Sequence, residues 1–86
     1  YKAEKAIVAP NPITNDSKVV FMSDSNGKAT IRLNGISGKQ MLIKEVEVTA
    51  GTNTISVPEF GKLQNGLYIL TIELQGKVQQ VKIIKK

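Results

Sequence analysis

The sequence predicts an all-β fold, an antiparallel β-sandwich of about seven short strands. Runs rich in β-branched and aromatic residues recur along the chain, with turn signals between them at intervals of about 8 to 12 residues. No stretch shows the 3.6-residue apolar period of an amphipathic helix. These two observations favour two packed sheets over any helical or mixed architecture.

The strand predicted for the middle of the core follows the turn signal Asn65-Gly66. Alternate side chains of a strand share one face, and here that face is Tyr68, Leu70, Ile72 and Leu74. Leu67 and Ile69 make the other face apolar at its start, which is typical of a central strand. The pattern Leu63-x-x-Gly66-x-Tyr68 is similar to the tyrosine corner of immunoglobulin-like sandwiches, in which the tyrosine bonds back to the upstream backbone. We therefore expect an immunoglobulin-like sandwich.

The first part of the chain predicts three strands. Ala6-Ile7-Val8 is a short one that Pro10-Asn11-Pro12 must end, because proline fixes φ and has no N–H. Residues 18–23 form a short buried strand. Asp24-Ser25-Asn26-Gly27 is the strongest hairpin signal in the chain, since Asn-Gly suits a type I′ turn. The strand after it should face inward with Ala29, Ile31 and Leu33.

Residues 34–39 are expected to turn the chain into a long strand, 40–48. Met41 and Ile43 predict that the odd-numbered residues of this strand face the core, whereas Val46 and Val48 predict that the even-numbered residues do. One extra residue in a strand exchanges the inward and outward side chains beyond it. We therefore expect a β-bulge near Lys44-Glu45.

The last part of the chain predicts three strands, of which the middle one is the central strand described above. After a turn at 50–53, residues 54–57 form a strand with Ile55 and Val57 inward, which Pro58 ends. Residues 60–63 cross to the central strand. Gln75-Gly76-Lys77 is a tight hairpin into the strand 78–84, whose inward pair is Val81 and Ile83.

The chain of 86 residues has room for one core only. We expect residues 1–5 to be a tether and residues 6–86 to be a single sandwich, cut from a longer precursor because the chain begins with Tyr1. Hydrophobic residues make up 41% and charged residues 22%, which is typical of a globular domain. No apolar run reaches the roughly 20 residues that cross a bilayer.

Composition argues against catalysis. Cysteine and histidine are absent, which removes the commonest general base and the thiolate and imidazole metal ligands. Glu45 and Glu47 are predicted to lie on an outward strand face, and residues 24–27 lack the further acids of a calcium loop. We therefore expect no catalytic residue, no cofactor and no metal site.

The net charge of +5 comes almost entirely from lysines. Nucleic-acid sites combine clustered arginines with stacking aromatics, so we expect no nucleic-acid partner. Of the four aromatic residues, Phe21 and Tyr68 are predicted to lie in the core. Tyr1 and Phe60 remain as side chains on which a sugar ring could stack. The basic and apolar end Lys82-Ile83-Ile84-Lys85-Lys86 is either an edge strand that lysines protect against aggregation or an exposed recognition strand.

Several short motifs occur in a fixed order along the chain. They are Val8-Ala9-Pro10-Asn11-Pro12, Gly27-Lys28-Ala29-Thr30-Ile31, Ser37-Gly38-Lys39, Ala50-Gly51-Thr52-Asn53, Leu63-x-x-Gly66-x-Tyr68 and Gly76-Lys77 before Lys82-Ile83-Ile84-Lys85-Lys86. In this order they resemble the C-terminal sorting domain of type IX (Por) secretion cargo proteins of Bacteroidetes, from Ile7 to Lys86. The chain departs from the family at Ala9, where an aromatic residue is common, and at Asn34-Gly35-Ile36.

The resemblance implies a non-catalytic sorting signal that directs an N-terminal cargo domain through the periplasm and across the outer membrane, for surface attachment or release. The implied partners are the outer-membrane secretion machinery and a sortase-like peptidase that cleaves near residues 1–5. The implied recognition residues are Gly66, Tyr68, Gly76, Lys77, Val81, Lys82, Ile83, Ile84, Lys85 and Lys86.

Two other functions remain open at this point. The domain could be a structural or carbohydrate-binding accessory module of an extracellular enzyme, or it could be an adhesin spacer. Edge strands would also allow a homodimer.

Overall fold

The computed structural model describes residues 6–86, so the predicted tether at residues 1–5 lies outside the described residues. Seven strands follow one another: β1 (Ile7–Ala9), β2 (Lys18–Ser23), β3 (Gly27–Gly35), β4 (Gln40–Val48), β5 (Gly51–Ser56), β6 (Gly66–Leu74) and β7 (Lys77–Lys85). A short 3₁₀ helix, Pro58–Lys62, connects β5 to β6. The predicted all-β architecture is confirmed. Within residues 6–86, no helix has the length and apolarity needed to cross a bilayer.

The strands form two antiparallel sheets that enclose one core. One sheet has the order β1-β2-β5 and the other the order β4-β3-β6-β7. β6 therefore lies between two neighbours, as predicted for the central strand. Its inward face carries Tyr68, Leu70, Ile72 and Leu74, all at most 9% exposed. The inward trio of β3, Ala29, Ile31 and Leu33, is also confirmed.

The predicted hairpin at Asp24-Ser25-Asn26-Gly27 is wrong, because β2 and β3 belong to different sheets. Gly27 is the first residue of β3 and does not adopt the positive φ of a type I′ turn. Instead, the Ala50 N–H donates to Asn26 Oδ1 at 2.9 Å, which ties this loop to the turn before β5. The inward faces of β2 and β3 are both buried, so packing between the sheets outweighs the local turn preference.

The predicted bulge near Lys44-Glu45 is also wrong. β4 keeps one parity throughout, with Leu42, Lys44, Val46 and Val48 inward, whereas Met41 and Ile43 are 42% and 54% exposed. Lys44 is half-buried and its Nζ lies 3.4 Å from Glu59 Oε1. A lysine can occupy an inward position in this way, because its methylene groups tolerate burial while the ammonium group stays at the surface. The irregularity of this strand pair lies elsewhere: Leu33 pairs with Leu42 but Asn34 pairs with Gln40, which leaves Met41 as the extra residue.

The hairpin between β6 and β7 is confirmed. Gln75 and Gly76 both adopt positive φ, 53° and 79°, as a type I′ turn requires. Leu74 pairs with Lys77 directly beyond the turn, and the register continues without a break to Gly66 and Lys85. The turn thus fixes the register of the last strand.

Residues 10–17, which we call the strap, cross from β1 to the end of β7. The Ala9–Pro10 and Asn11–Pro12 peptides are cis, and regular pairing of β1 stops before them, as predicted. Ser17 is fully buried and holds the strap by donating to the Pro10 carbonyl at 2.7 Å and accepting from the Thr14 N–H at 2.9 Å. Ile13 is 1% exposed and forms a parallel bridge with Lys85. The strap therefore packs against the last strand.

Candidate functional site

The last strand divides the predicted recognition residues between two faces. Ile83 is fully buried and pairs with Tyr68 on β6, which is 6% exposed. Val81 is half-buried against the same core. These three side chains stabilise the sandwich, and no receptor can contact Ile83 without opening it.

The outward face of β7 presents the accessible part of the set. Ile84 is 43% exposed and lies opposite Leu67, and exposed Lys82 lies opposite Ile69. Leu67 and Ile69 are half-buried on this face. Together these four residues, which we call the outer strip, form a small apolar surface with a lysine on it.

The outer edge of β7 is closed at its carboxyl end. Asn11 Oδ1 accepts from the Ile84 N–H at 3.1 Å, and the Ile84 carbonyl accepts from the Ile13 N–H at 2.7 Å. In an antiparallel strand the backbone groups of alternate residues point the same way, so those of Val78, Gln80 and Lys82 also point outward. The edge available for pairing with another chain therefore ends before Ile84.

The turn before β6 and the end of β7 form one hydrogen-bonded unit. Tyr68 Oη donates to the Gln64 carbonyl at 2.6 Å, which is the predicted tyrosine corner. Gly66 has φ of 156° and pairs with Lys85, whose Nζ donates to the Leu63 carbonyl at 3.1 Å. Lys85 is thus anchored to the scaffold.

The ten predicted recognition residues do not form a single site. Gly76 and Lys77 lie at the start of β7, whereas Lys85 and Lys86 lie at its end. A strand rises about 3.3 Å per residue, so the two pairs are roughly 26 Å apart. One partner surface could cover both only by running along the whole strand.

A groove of about 450 Å³ lies beside the end of β7. It is lined by Ile13, Thr14, Asn15, Pro58, Gly61, Lys62, Lys85 and Lys86, and we call it the basic groove. Three lysines line it and no acidic residue does. The strap forms one wall and the 3₁₀ helix another.

Glu59 lies on the same 3₁₀ helix. A hydrogen bond with the backbone lowers the pKa of its carboxyl. Burial opposes this shift, but the nearby Lys44 and Lys62 ammonium groups lower the pKa further, so the net shift is downward. Lys44 Nζ is 3.4 Å from Glu59 Oε1. The carboxylate therefore stays charged at neutral pH and partly balances the lysines of this end.

Sequence reasoning missed the strap contacts and Lys62. Asn11 and Ile84 are 73 residues apart in the chain, and no local pattern signals so distant a contact. It also misplaced Phe60, which is fully buried, so the prediction that Phe60 remains for a sugar platform is wrong. Tyr1, the other residue of that prediction, lies outside the described residues. Among residues 6–86, no three side chains of the metal-binding types gather at one point.

Comparison with known protein families identifies the family of the chain. A family model described as the secretion system C-terminal sorting domain matches residues 7–86, nearly the whole chain. No curated protein matches the chain.

Proposed function

The chain belongs to the family of secretion system C-terminal sorting domains, and on that premise we propose that it is a non-catalytic signal of type IX secretion. It directs a cargo protein, joined on its N-terminal side, across the outer membrane for surface attachment or release. Its partners are the outer-membrane machinery of that system and a sortase-like peptidase that removes the domain.

The observation that supports this proposal most directly is the rigid presentation of the outer strip. β7 pairs with β6 along its whole length, and its inward neighbour Ile83 is locked in the core. Pairing with β6 therefore fixes the backbone positions of Lys82 and Ile84 on the opposite face. A receptor that reads a preorganised surface does not have to order it first, which favours binding.

Export of a fusion protein tests this proposal. The 86-residue chain is fused behind a fluorescent protein carrying an ordinary export signal and is expressed in a host with type IX secretion. We expect fluorescence outside the outer membrane. The double variant Lys82→Glu/Ile84→Ser should remain in the periplasm, because both changed side chains are exposed and belong to the outer strip.

Val78→Ser is the matched control. Val78 is 57% exposed on the same face of β7 but lies at its opposite end. This variant should be exported as well as the unchanged fusion, and circular dichroism with urea unfolding should show that both variants fold. Retention of the unchanged fusion in the periplasm would reject the sorting function. Normal export of the double variant would reject the outer strip as the recognition surface.

The accessory-module alternative has lost its main support. All three aromatic side chains within residues 6–86, Phe21, Phe60 and Tyr68, are at most 6% exposed. Sugar-binding sandwiches usually stack sugar rings on exposed aromatic side chains. This observation favours the sorting function over carbohydrate binding.

A further inference from the structure

We propose that the basic groove binds the carboxylates of an acidic, extended segment of the protein that receives the domain. This inference rests on the proposed function for the identity of the partner, but not for the chemistry of the groove. It assigns a contact to Lys62, which lies outside β7, and to Lys86 at the end of the chain.

Within residues 6–86, the lysines of the groove have no acidic partner. The three ion pairs among residues 6–86 are Lys28–Glu45, Arg32–Glu73 and Lys44–Glu59. Lys62 and Lys86 are exposed and lie beyond 4 Å of every carboxylate in that range, although Lys62 is close enough to Glu59 to lower its pKa. Positive charges gathered in a concave surface attract anions more strongly than the same charges on a flat one.

Lys85 gives the groove a fixed charge. Its Nζ donates to the Leu63 carbonyl, which leaves two of its three N–H donors for a ligand. The strap wall is also fixed, because Ile13 is bonded to the Ile84 carbonyl. Gly61 keeps the floor close to the strap, since a Cβ at this position would lie 2.7 Å from the Asn15 Cβ. The ligand therefore meets a site that is already formed.

Side-chain chemistry favours carboxylates on a peptide over phosphate. Thr14 and Asn15 offer polar groups to a peptide backbone, and Pro58 offers an apolar surface to the methylene groups of glutamate side chains. The volume of about 450 Å³ accommodates a few side chains of an extended segment.

A titration followed by NMR tests the groove directly. The ¹⁵N-labelled 86-residue chain is titrated with an eight-residue peptide of alternating glutamate and glycine, with the matched glutamine–glycine peptide, and with inorganic phosphate. The glutamate peptide should shift the amides of Thr14, Asn15, Gly61, Lys62 and Lys86, and the glutamine peptide should not. The variant Lys62→Gln/Lys86→Gln should weaken binding of the glutamate peptide at least tenfold.

The control variant Lys28→Gln/Lys39→Gln removes the same amount of charge from exposed positions outside the groove. It should weaken binding less than threefold. Equal weakening by both double variants would overturn the proposal, because net charge alone would then explain the binding. Phosphate that shifts the same amides at equal or lower concentration would overturn it in favour of a phosphate site.

Export separates this inference from the proposed function. The fusion carrying Lys62→Gln/Lys86→Gln should be exported at least several-fold less than the unchanged fusion. If the unchanged fusion is not exported at all, the sorting function fails, and the groove is judged by the titration alone. If the unchanged fusion and the double variant are exported equally, the groove does not contact the receptor and this inference is rejected.

Discussion

Tyr68 donates a hydrogen bond from its phenolic oxygen to the carbonyl oxygen of Gln64, at 2.6 Å. The bond closes the turn that leads into β6 while the ring packs against the core, where it is 6% exposed. On the neighbouring strand β7, Ile83 pairs with Tyr68. The tyrosine thus connects the turn, the central strand and the last strand.

Removal of the Tyr68 hydroxyl should cost modest stability. Tyr68→Phe keeps the ring in place and deletes one hydrogen bond, so we expect the free energy of unfolding to fall by about 1 kcal/mol. Tyr68→Ala also removes the packing of the ring and should cost ~3 kcal/mol or more. Urea unfolding of the 86-residue chain measures both values. Equal losses for the two variants would contradict the separation of hydrogen bond and packing.

Sequence alone predicted the features that depend on neighbouring residues. The alternation of Leu70, Ile72 and Leu74 predicted the buried face of β6, because a strand has a period of two. Glycine and asparagine signals located most of the turns, and the tyrosine corner followed from a spacing of a few residues. The order of short motifs predicted the family, and the comparison confirmed it.

Features that depend on distant residues were predicted wrongly or missed. Asn26-Gly27 is a strong local turn signal, but the packing of two sheets places β2 and β3 apart. Ile43 was predicted inward by its hydrophobicity, although Lys44 takes the inward position by reaching Glu59. The contact of Asn11 with Ile84 has no local signal. The candidate site beside β7 depends on the strap. The sequence therefore predicted the strand that carries the site but not the residues that line the groove beside it.

The strap should protect the end of β7 from local opening. Asn11→Ala removes the acceptor of the Ile84 N–H. We expect the Ile84 amide to exchange with deuterium about fivefold faster, since loss of a hydrogen bond that contributes about 1 kcal/mol raises the open population by that factor. Amide exchange followed by NMR measures the change residue by residue.

Asn26→Ala is the matched control for Asn11→Ala. It also removes a side-chain acceptor from a backbone N–H, that of Ala50, in a different loop. This variant should speed exchange at Ala50 and leave Ile84 unchanged. If Asn11→Ala left the exchange of Ile84 unaltered, the strap would not hold the last strand.

Protonation of Glu59 in acid should make the domain less stable. The folded protein lowers the pKa of this carboxyl, so its contribution to stability is complete above the ordinary range of a glutamate and is lost as pH falls through the lowered pKa. The difference in stability between Glu59→Gln and the unchanged protein should therefore be smaller at low pH than at neutral pH. Thermal unfolding midpoints at a series of pH values measure the difference.

Glu47→Gln serves as the control for this pH dependence. Glu47 is exposed on the outward face of β4, away from the 3₁₀ helix. Its substitution should shift the midpoint by a similar small amount at every pH. Because the Lys44–Glu59 pair is partly exposed, added salt should reduce the effect of Glu59→Gln. A pH-independent effect of Glu59→Gln would contradict the assignment.

The close approach of Gly61 and Asn15 should show as a coupling between the two positions. A Cβ on Gly61 would lie 2.7 Å from the Asn15 Cβ, so Gly61→Ala must displace the strap and should cost about 1–3 kcal/mol. Asn15→Gly removes the atom that would clash and should restore most of this loss in the double variant. A double-mutant cycle by urea unfolding measures the coupling, for which we expect at least about 1 kcal/mol. Purely additive losses would show that the 3₁₀ helix and the strap are not in contact there, and the floor of the basic groove would then have to be placed elsewhere.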